Sequence, residues 1–240
     1  MRPISQTPGA HRRETEGGIL IGNQLDKSQL GNPIARRLVA GFDAALFALV
    51  ARVQPPPRTI HEVGCGEGRL SRQLRARLGI PIRASDFSRT LIAENQARAE
   101  PGIDYVARSI YDLDPAVDRA DLIVCCEVLE HLERPEEALA ALRQVGAAAY
   151  IFSVPREPLW RVLNLTRGQY FRALGNTPGH LQHWSRGGFV RFLKSGGFKV
   201  AACRQPLPWT MVLGRFRLTD QRDQCGTRSS ADISWNDFCT

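Results

Sequence analysis

"TIHEVGCGEGRL", Thr59 to Leu70, sets three glycines, at 64, 66 and 68, between an apolar run and an arginine-rich segment with leucines at helical spacing. Glycine lets the backbone turn sharply and come close to a ligand, and a helix that follows such a turn presents its first amide groups. The stretch therefore predicts a strand over Thr59–Val63, a tight cofactor-binding turn, and a helix marked by Leu70, Leu74 and Leu78 that ends at Gly79. A dinucleotide fingerprint is spaced GxGxxG. Here the spacing is GxGxG, and Arg69 stands where the third glycine belongs, which favours another nucleoside cofactor.

Downstream, strand and helix patterns alternate. "IPIRASD" reads as a second strand ending at Asp86, and Ser88 is placed to cap a helix through about Ala99. "IDYVARSI" and "ADLIVCCEV" read as the third and fourth strands, and a helix over Pro135–Val145 leads to a fifth, "AAAYIFSVP". Ser185 caps a helix that stops at Gly196 and Gly197, and "FKVAAC" with "WTMVLG" supplies a last pair of strands. Such alternation predicts an α/β fold, a mainly parallel sheet with helices on both faces, whose ligands bind at the carboxyl ends of the strands.

Upstream, "NPIARRLVAGFDAALFALVARVQPPP" predicts a helix capped by Asn32, opened by Pro33 and stopped by the prolines at 55 to 57. Ile34, Leu38, Phe42, Leu46, Leu49 and Val53 form its apolar face. The expected organisation is a flexible segment over 1–31, this helix within 32–57, one domain over 58–216 with an insertion at 156–185, and a polar, disordered tail over 217–240.

Composition narrows the function classes. The 240 residues are 43% apolar, enough for a substantial core, and the formal charge is +8. The basic residues are scattered among acidic ones, so they read as a solvated surface rather than a nucleic-acid footprint. The six cysteines form no CxxC pair and several lie in apolar runs, which fits buried thiols in a reducing cytoplasm. No apolar stretch reaches the roughly 20 residues needed to span a bilayer.

Two carboxylates sharpen the cofactor reading. Glu62 lies two residues before Gly64, where it can attract a cationic group held over the loop, and Asp86 is placed to accept hydrogen bonds from both hydroxyls of a ribose. A strand-end ion pair for Glu62 and a capping or turn role for Asp86 are the alternatives. With these residues in place, the sequence resembles the class I S-adenosylmethionine-dependent methyltransferases. The resemblance is carried by "EVGCGEG" (62–68), "ASDFS" (84–88), "RSIYDL" (108–113) and "ADLIVCCEVLEHLERPEEAL" (120–139), and covers roughly residues 58–213. It implies a Rossmann-like, seven-stranded sheet with an antiparallel last strand, and S-adenosylmethionine as cofactor. It also implies that Gly64, Cys65, Gly66 and Gly68 wrap the methionyl part, with Glu62 near its amino group and Glu127 at the same end. Asp86 would hold the ribose, Phe87 would lie against the adenine, and the backbone of Ser109 and Ile110 would meet the adenine edge. Many members of the class carry an acidic residue near 109; this chain has serine and isoleucine there.

A sulfonium methyl is already activated, so transfer needs an in-line approach and removal of a proton from the acceptor. His131, four residues beyond Glu127, is the candidate base, with capping of the following turn as the alternative. No NPPY or DPPY tetrapeptide follows the fourth strand, and no carboxylate trio of the catechol-type magnesium site is evident. The expectation is a metal-independent enzyme acting on a small, hydrophobic acceptor, oxygen favoured, and not on nucleic acid. Within the class, "EVLEHL" and "FSVP" resemble the ubiquinone-type O-methyltransferases. Tyr170, His180, His183 and Trp184 in the insertion are the substrate-side candidates, with packing as the alternative for the tryptophans. His180 and His183 also have a metal-like spacing, but no third ligand is evident. Arg156, Arg161, Arg167 and Arg172 allow peripheral membrane contact, without a clean helical stripe. The competing functions are a nucleotide-linked oxidoreductase and an inactive cofactor-binding scaffold.

Overall fold

From Ile60 onward each switch between strand and helix falls at a glycine, a capping side chain or a proline. The computed structural model describes residues 15–16, 19–20, 33–98, 100–166, 176–177 and 179–216. A short antiparallel ladder of β1 (Thr15–Glu16) and β2 (Ile19–Leu20) precedes helix α1 (Pro33–Val50). The main sheet contains β3 (Ile60–Val63), β4 (Ile82–Asp86), β5 (Ile103–Ala107), β6 (Leu122–Cys126), β7 (Ala149–Pro155), β8 (Lys199–Arg204) and β9 (Trp209–Arg215). Its helices are α2 (Arg69–Leu78), α3 (Arg89–Ala97), α4 (Pro135–Val145), α5 (Leu159–Thr166) and α6 (Arg186–Ser195).

The strand order is β5-β4-β3-β6-β7-β9-β8. All neighbours from β5 to β7 pair in parallel, and β9 runs antiparallel to both β7 and β8. The chain winds outward from β3 to β5, then jumps back beside β3 to lay down β6. This reversal opens a crevice at the carboxyl ends of β3 and β6, the place where such sheets bind ligands.

Alternation along the central strands builds two apolar layers. Leu122, Val124 and Cys126 of β6 face Phe42, Leu46 and Leu49 of α1 and Leu70 and Leu74 of α2. Ile123 and Cys125 face the opposite way, toward Leu139 and Leu142 of α4 and Phe189 and Leu193 of α6. Strands buried on both faces read as near-continuous apolar runs, as β6 and β7 do. Each fully buried side chain of the size of Phe152 or Leu74 contributes about 1.5–3 kcal/mol of transfer free energy.

Two boundaries and one buried position differ from the sequence reading. Helix α1 stops at Val50, ahead of the prolines, because Arg52 and Val53 donate to the carbonyls of Leu49 and Val50 and tighten the last turn. Ile34, expected on the buried face of α1, is 69% exposed, whereas Leu38, Phe42, Leu46 and Leu49 pack into the core. Strand β5 ends at Ala107, and Ile110–Asp112 forms a 3-10 turn capped by the Ser109 hydroxyl, which accepts from Tyr111 N–H. Asn32, Tyr170 and the tail beyond 216 lie outside the described residues.

Candidate active site

The glycine turn is held down by its neighbour strand. Gly64 and Cys65 donate their amides to the Ser85 carbonyl at 2.7 and 2.9 Å. Gly64 adopts φ +79°, and a side chain there would run into Val128 on the opposite lip of the crevice. Gly68, at φ +76°, is the N-cap of α2 and faces the Tyr105 hydroxyl and Asn95, so it packs the loop against α3 and β5 and does not line the cavity. Above the loop lies a cavity of about 420 Å³, a size suited to a nucleoside cofactor.

At one end, Asp86 closes β4. Its carboxylate accepts from the amides of Gly66 (2.8 Å) and Ser88 (2.9 Å), which aim it along the cavity wall. Phe87 beside it is 40% exposed and forms a cavity wall. Arg108 N–H donates to the Asp86 carbonyl at 2.8 Å, which carries the chain to Ser109 and Ile110, both lining the same end. The Arg108 side chain is tied by its Nε to buried Asp118 at 3.1 Å.

Deeper in, Glu62 is 3% exposed and accepts a short hydrogen bond from Ser71 Oγ. Burial raises its pKa from the ordinary 4.5 to about 7, against the opposing pull of Ser71 and Arg69. Arg69 is itself held by Asp43 of α1 at 2.9 Å. A raised carboxyl pKa means that the folded protein binds the proton more tightly than the unfolded chain. The empty protein should therefore lose stability as pH rises from about 4.5 to 7, and a cationic ligand should favour the ionised form. We expect the affinity for S-adenosylmethionine to rise as pH approaches 7, by at most about tenfold per unit, and then level off. Calorimetry near pH 6.5 in buffers of different ionisation enthalpy should register proton release on binding. Glu62→Gln should abolish that release.

The other lip is built by the turn after β6. Glu127 has φ +59°, the one positive value among the described non-glycine residues. Its carboxylate receives Ser153 Oγ–H at 3.1 Å and the Trp209 indole N–H at 2.6 Å. Leu129–His131 forms a 3-10 turn that brings His131 to the cavity wall. His131 Nδ1 lies 2.9 Å from the Gly179 carbonyl. A carbonyl only accepts, so Nδ1 carries a proton. Gly179 is fixed in turn, because the following amides of Leu181 and Gln182 both donate to the Glu130 carbonyl, at 2.8 and 2.9 Å.

His180 is buried, and its ring meets that of His131 edge-on at 4.9 Å. Ligand atoms of Glu130, His131 and His180 all lie within 4.8 Å of one another, a donor set that suits a divalent cation. His183 is not part of this cluster and faces Glu157 at 3.6 Å. Trp184 stacks on Phe192 at 5.0 Å, over α6 and away from the cavity. Glu62, Gly64, Cys65, Gly66, Asp86, Phe87, Ser109, Ile110, Glu127 and His131 thus share one cavity. Val39 and Phe42 of α1 and Trp209 of β9 also line it, and the sequence reading placed none of them at the site.

Residues 61–148, from β3 to the edge of β7, match a family described as a methyltransferase domain. The fold resembles that of magnesium protoporphyrin IX methyltransferase from Synechocystis PCC 6803, with a TM-score of 0.55 at 18% identity over 78% of this chain and 85% of that one. The chain contains a class I S-adenosylmethionine-dependent methyltransferase domain. It is related in sequence to bacterial ubiquinone biosynthesis O-methyltransferases. Identity to that of Xanthomonas axonopodis pv. citri (strain 306) is 32% over 133 residues, covering 52% of this chain and 54% of the relative. Identity to that of Coxiella burnetii (strain RSA 331 / Henzerling II) is 30% over 152 residues, covering 57% and 64%. The chain therefore spans less than two thirds of the length of these curated relatives.

Proposed function

We propose that the protein transfers a methyl group from S-adenosylmethionine to an oxygen of a small, apolar acceptor. The observation that carries this reading is the single cavity that runs from Asp86, over the glycine turn, to His131. In it Asp86 accepts the ribose hydroxyls, Phe87 covers the adenine, and the Ser109–Ile110 backbone meets the adenine edge. The amides and carbonyls around Gly64–Gly66 hold the methionyl part, with Glu62 and Glu127 supplying negative charge for its ammonium group. The acceptor oxygen attacks the methyl carbon in line, the sulfur–carbon bond breaks, and the acceptor proton passes to His131 Nε2. S-adenosylhomocysteine leaves. His180 contacts the base from the acceptor side, and Tyr170, His183 and Trp184 remain acceptor-side proposals of the sequence. A cytoplasmic location and the absence of a nucleic-acid substrate belong to the same proposal; among the described residues no helix is long and apolar enough to cross a membrane.

A second reading of the acceptor end rests on the cluster of Glu130, His131 and His180. These residues would hold a divalent cation, which when bound lowers the pKa of an acceptor hydroxyl. Titration calorimetry with S-adenosylmethionine, S-adenosylhomocysteine and NAD tests the cofactor; binding of NAD alone would favour the oxidoreductase alternative and end the proposal. Formation of S-adenosylhomocysteine with phenolic acceptors, before and after chelation, separates the two acceptor readings. A rate indifferent to chelator leaves His131 as base, and a rate lost on chelation and restored by magnesium or zinc gives it to the cation. Tight cofactor binding with no transfer to any acceptor would favour the scaffold.

A further inference from the structure

We propose that Trp209 is a positioning residue, which sets the Glu127 carboxylate for the cationic amino-acid end of the cofactor. The inference rests on the S-adenosylmethionine reading of the cavity. Because β9 runs against the parallel strands, its first residue lies at their carboxyl edge, where Trp209 stands opposite Pro155 in register. The indole is 4% exposed and lines the cavity. Its Nε1–H donates to Glu127 Oε2 at 2.6 Å, while Ser153 Oγ–H donates to Oε1 at 3.1 Å. The carboxylate is thus held from two neighbouring strands, by Ser153 of β7 at one oxygen and Trp209 of β9 at the other. Its backbone is turned toward the crevice in a left-handed conformation that side-chain-bearing residues adopt only when their surroundings impose it.

The donor type matters. An indole N–H donates a hydrogen bond without bringing a positive charge, so this contact orients Glu127 without neutralising it. Arginine or lysine at 209 would neutralise the carboxylate and repel a cationic cofactor. The ring cannot swing away, because Phe42 of α1 meets it edge-on at 5.1 Å and Trp160 of α5 lies at 5.9 Å. These contacts also keep water from that side of the hydrogen bond, which strengthens it.

A double-mutant cycle read by calorimetry decides the matter. Trp209→Phe should weaken S-adenosylmethionine binding by about tenfold, and in the Glu127→Ala background the same substitution should change it by less than about twofold. Should Trp209→Phe fail to fold, 3-benzothienylalanine at 209 keeps the bicyclic shape without the N–H and carries the same expectation. An unchanged affinity, or effects that simply multiply in the double variant, would overturn the assignment. If the unsubstituted protein binds neither S-adenosylmethionine nor S-adenosylhomocysteine, the cofactor reading fails first and Trp209 with it.

Discussion

His131→Ala is expected to slow methyl transfer by roughly 100-fold while leaving the affinity for S-adenosylmethionine within about twofold. The asymmetry follows from position. His131 lies on the acceptor side of the cavity, on the turn after β6, and its Nδ1–H is committed to the Gly179 carbonyl. Removing the ring takes away the proton acceptor, or a cation ligand in the second reading, without touching the groups proposed for ribose or adenine. It also frees one end of the contact with residues 179–182, but the amides of Leu181 and Gln182 still hold that segment to Glu130. Single-turnover formation of S-adenosylhomocysteine, with binding measured in parallel, checks both halves. A normal rate would leave His131 as a tie for the segment at Gly179 and no more.

Gly64→Ala should have the opposite signature: cofactor affinity lost by more than about 100-fold, and stability lowered by about 2–5 kcal/mol. Two costs combine. The residue sits at φ +79°, where a side chain costs about 1–2 kcal/mol. The added methyl would overlap Val128 Cγ2 and crowd Cγ1 at 3.3 Å, and relief by backbone movement typically costs another 1–3 kcal/mol. That movement pushes apart the glycine turn and the Glu127–Val128 turn, the two lips between which the cofactor is proposed to lie. Val128→Ala in the same chain removes the overlap and leaves the backbone cost. Denaturant midpoints should then recover by more than half, and failure to recover would show that the clash is not the cause.

The parts of the molecule that are local in sequence were legible there. The Gly64–Gly68 turn, Asp86 at a strand end, Ser88 accepting from Leu91 N–H, and Ser185 accepting from Gly188 N–H each reflect the chemistry of a few adjacent residues. The apolar runs of β6 and β7 announced a sheet covered on both faces. What escaped was set by long-range contact. Nothing near residue 209 says that an antiparallel strand returns its first side chain to Glu127, 82 positions earlier. Nor does the sequence of α1 say that Phe42 walls the cavity instead of lying wholly inside the core. His180 and His183 look like a pair because their spacing suits one face of a helix. The segment is irregular, and residues three apart in extended chain point to opposite sides. Only His180 therefore reaches His131, while His183 turns toward Glu157.

The edge-on contact between Phe42 and Trp209 joins the first long helix to the final strand of the sheet. On the ribosome, α1 emerges early, and its Phe42 gains the edge-on ring contact with Trp209 only once β9 has been made. A nascent chain halted after β7 would already contain the glycine turn, Asp86 and His131, yet lack one wall of the chamber. The wall that Trp209 supplies is thus the last part of the chamber to be laid down along the chain, and it closes the space opened by the first long helix.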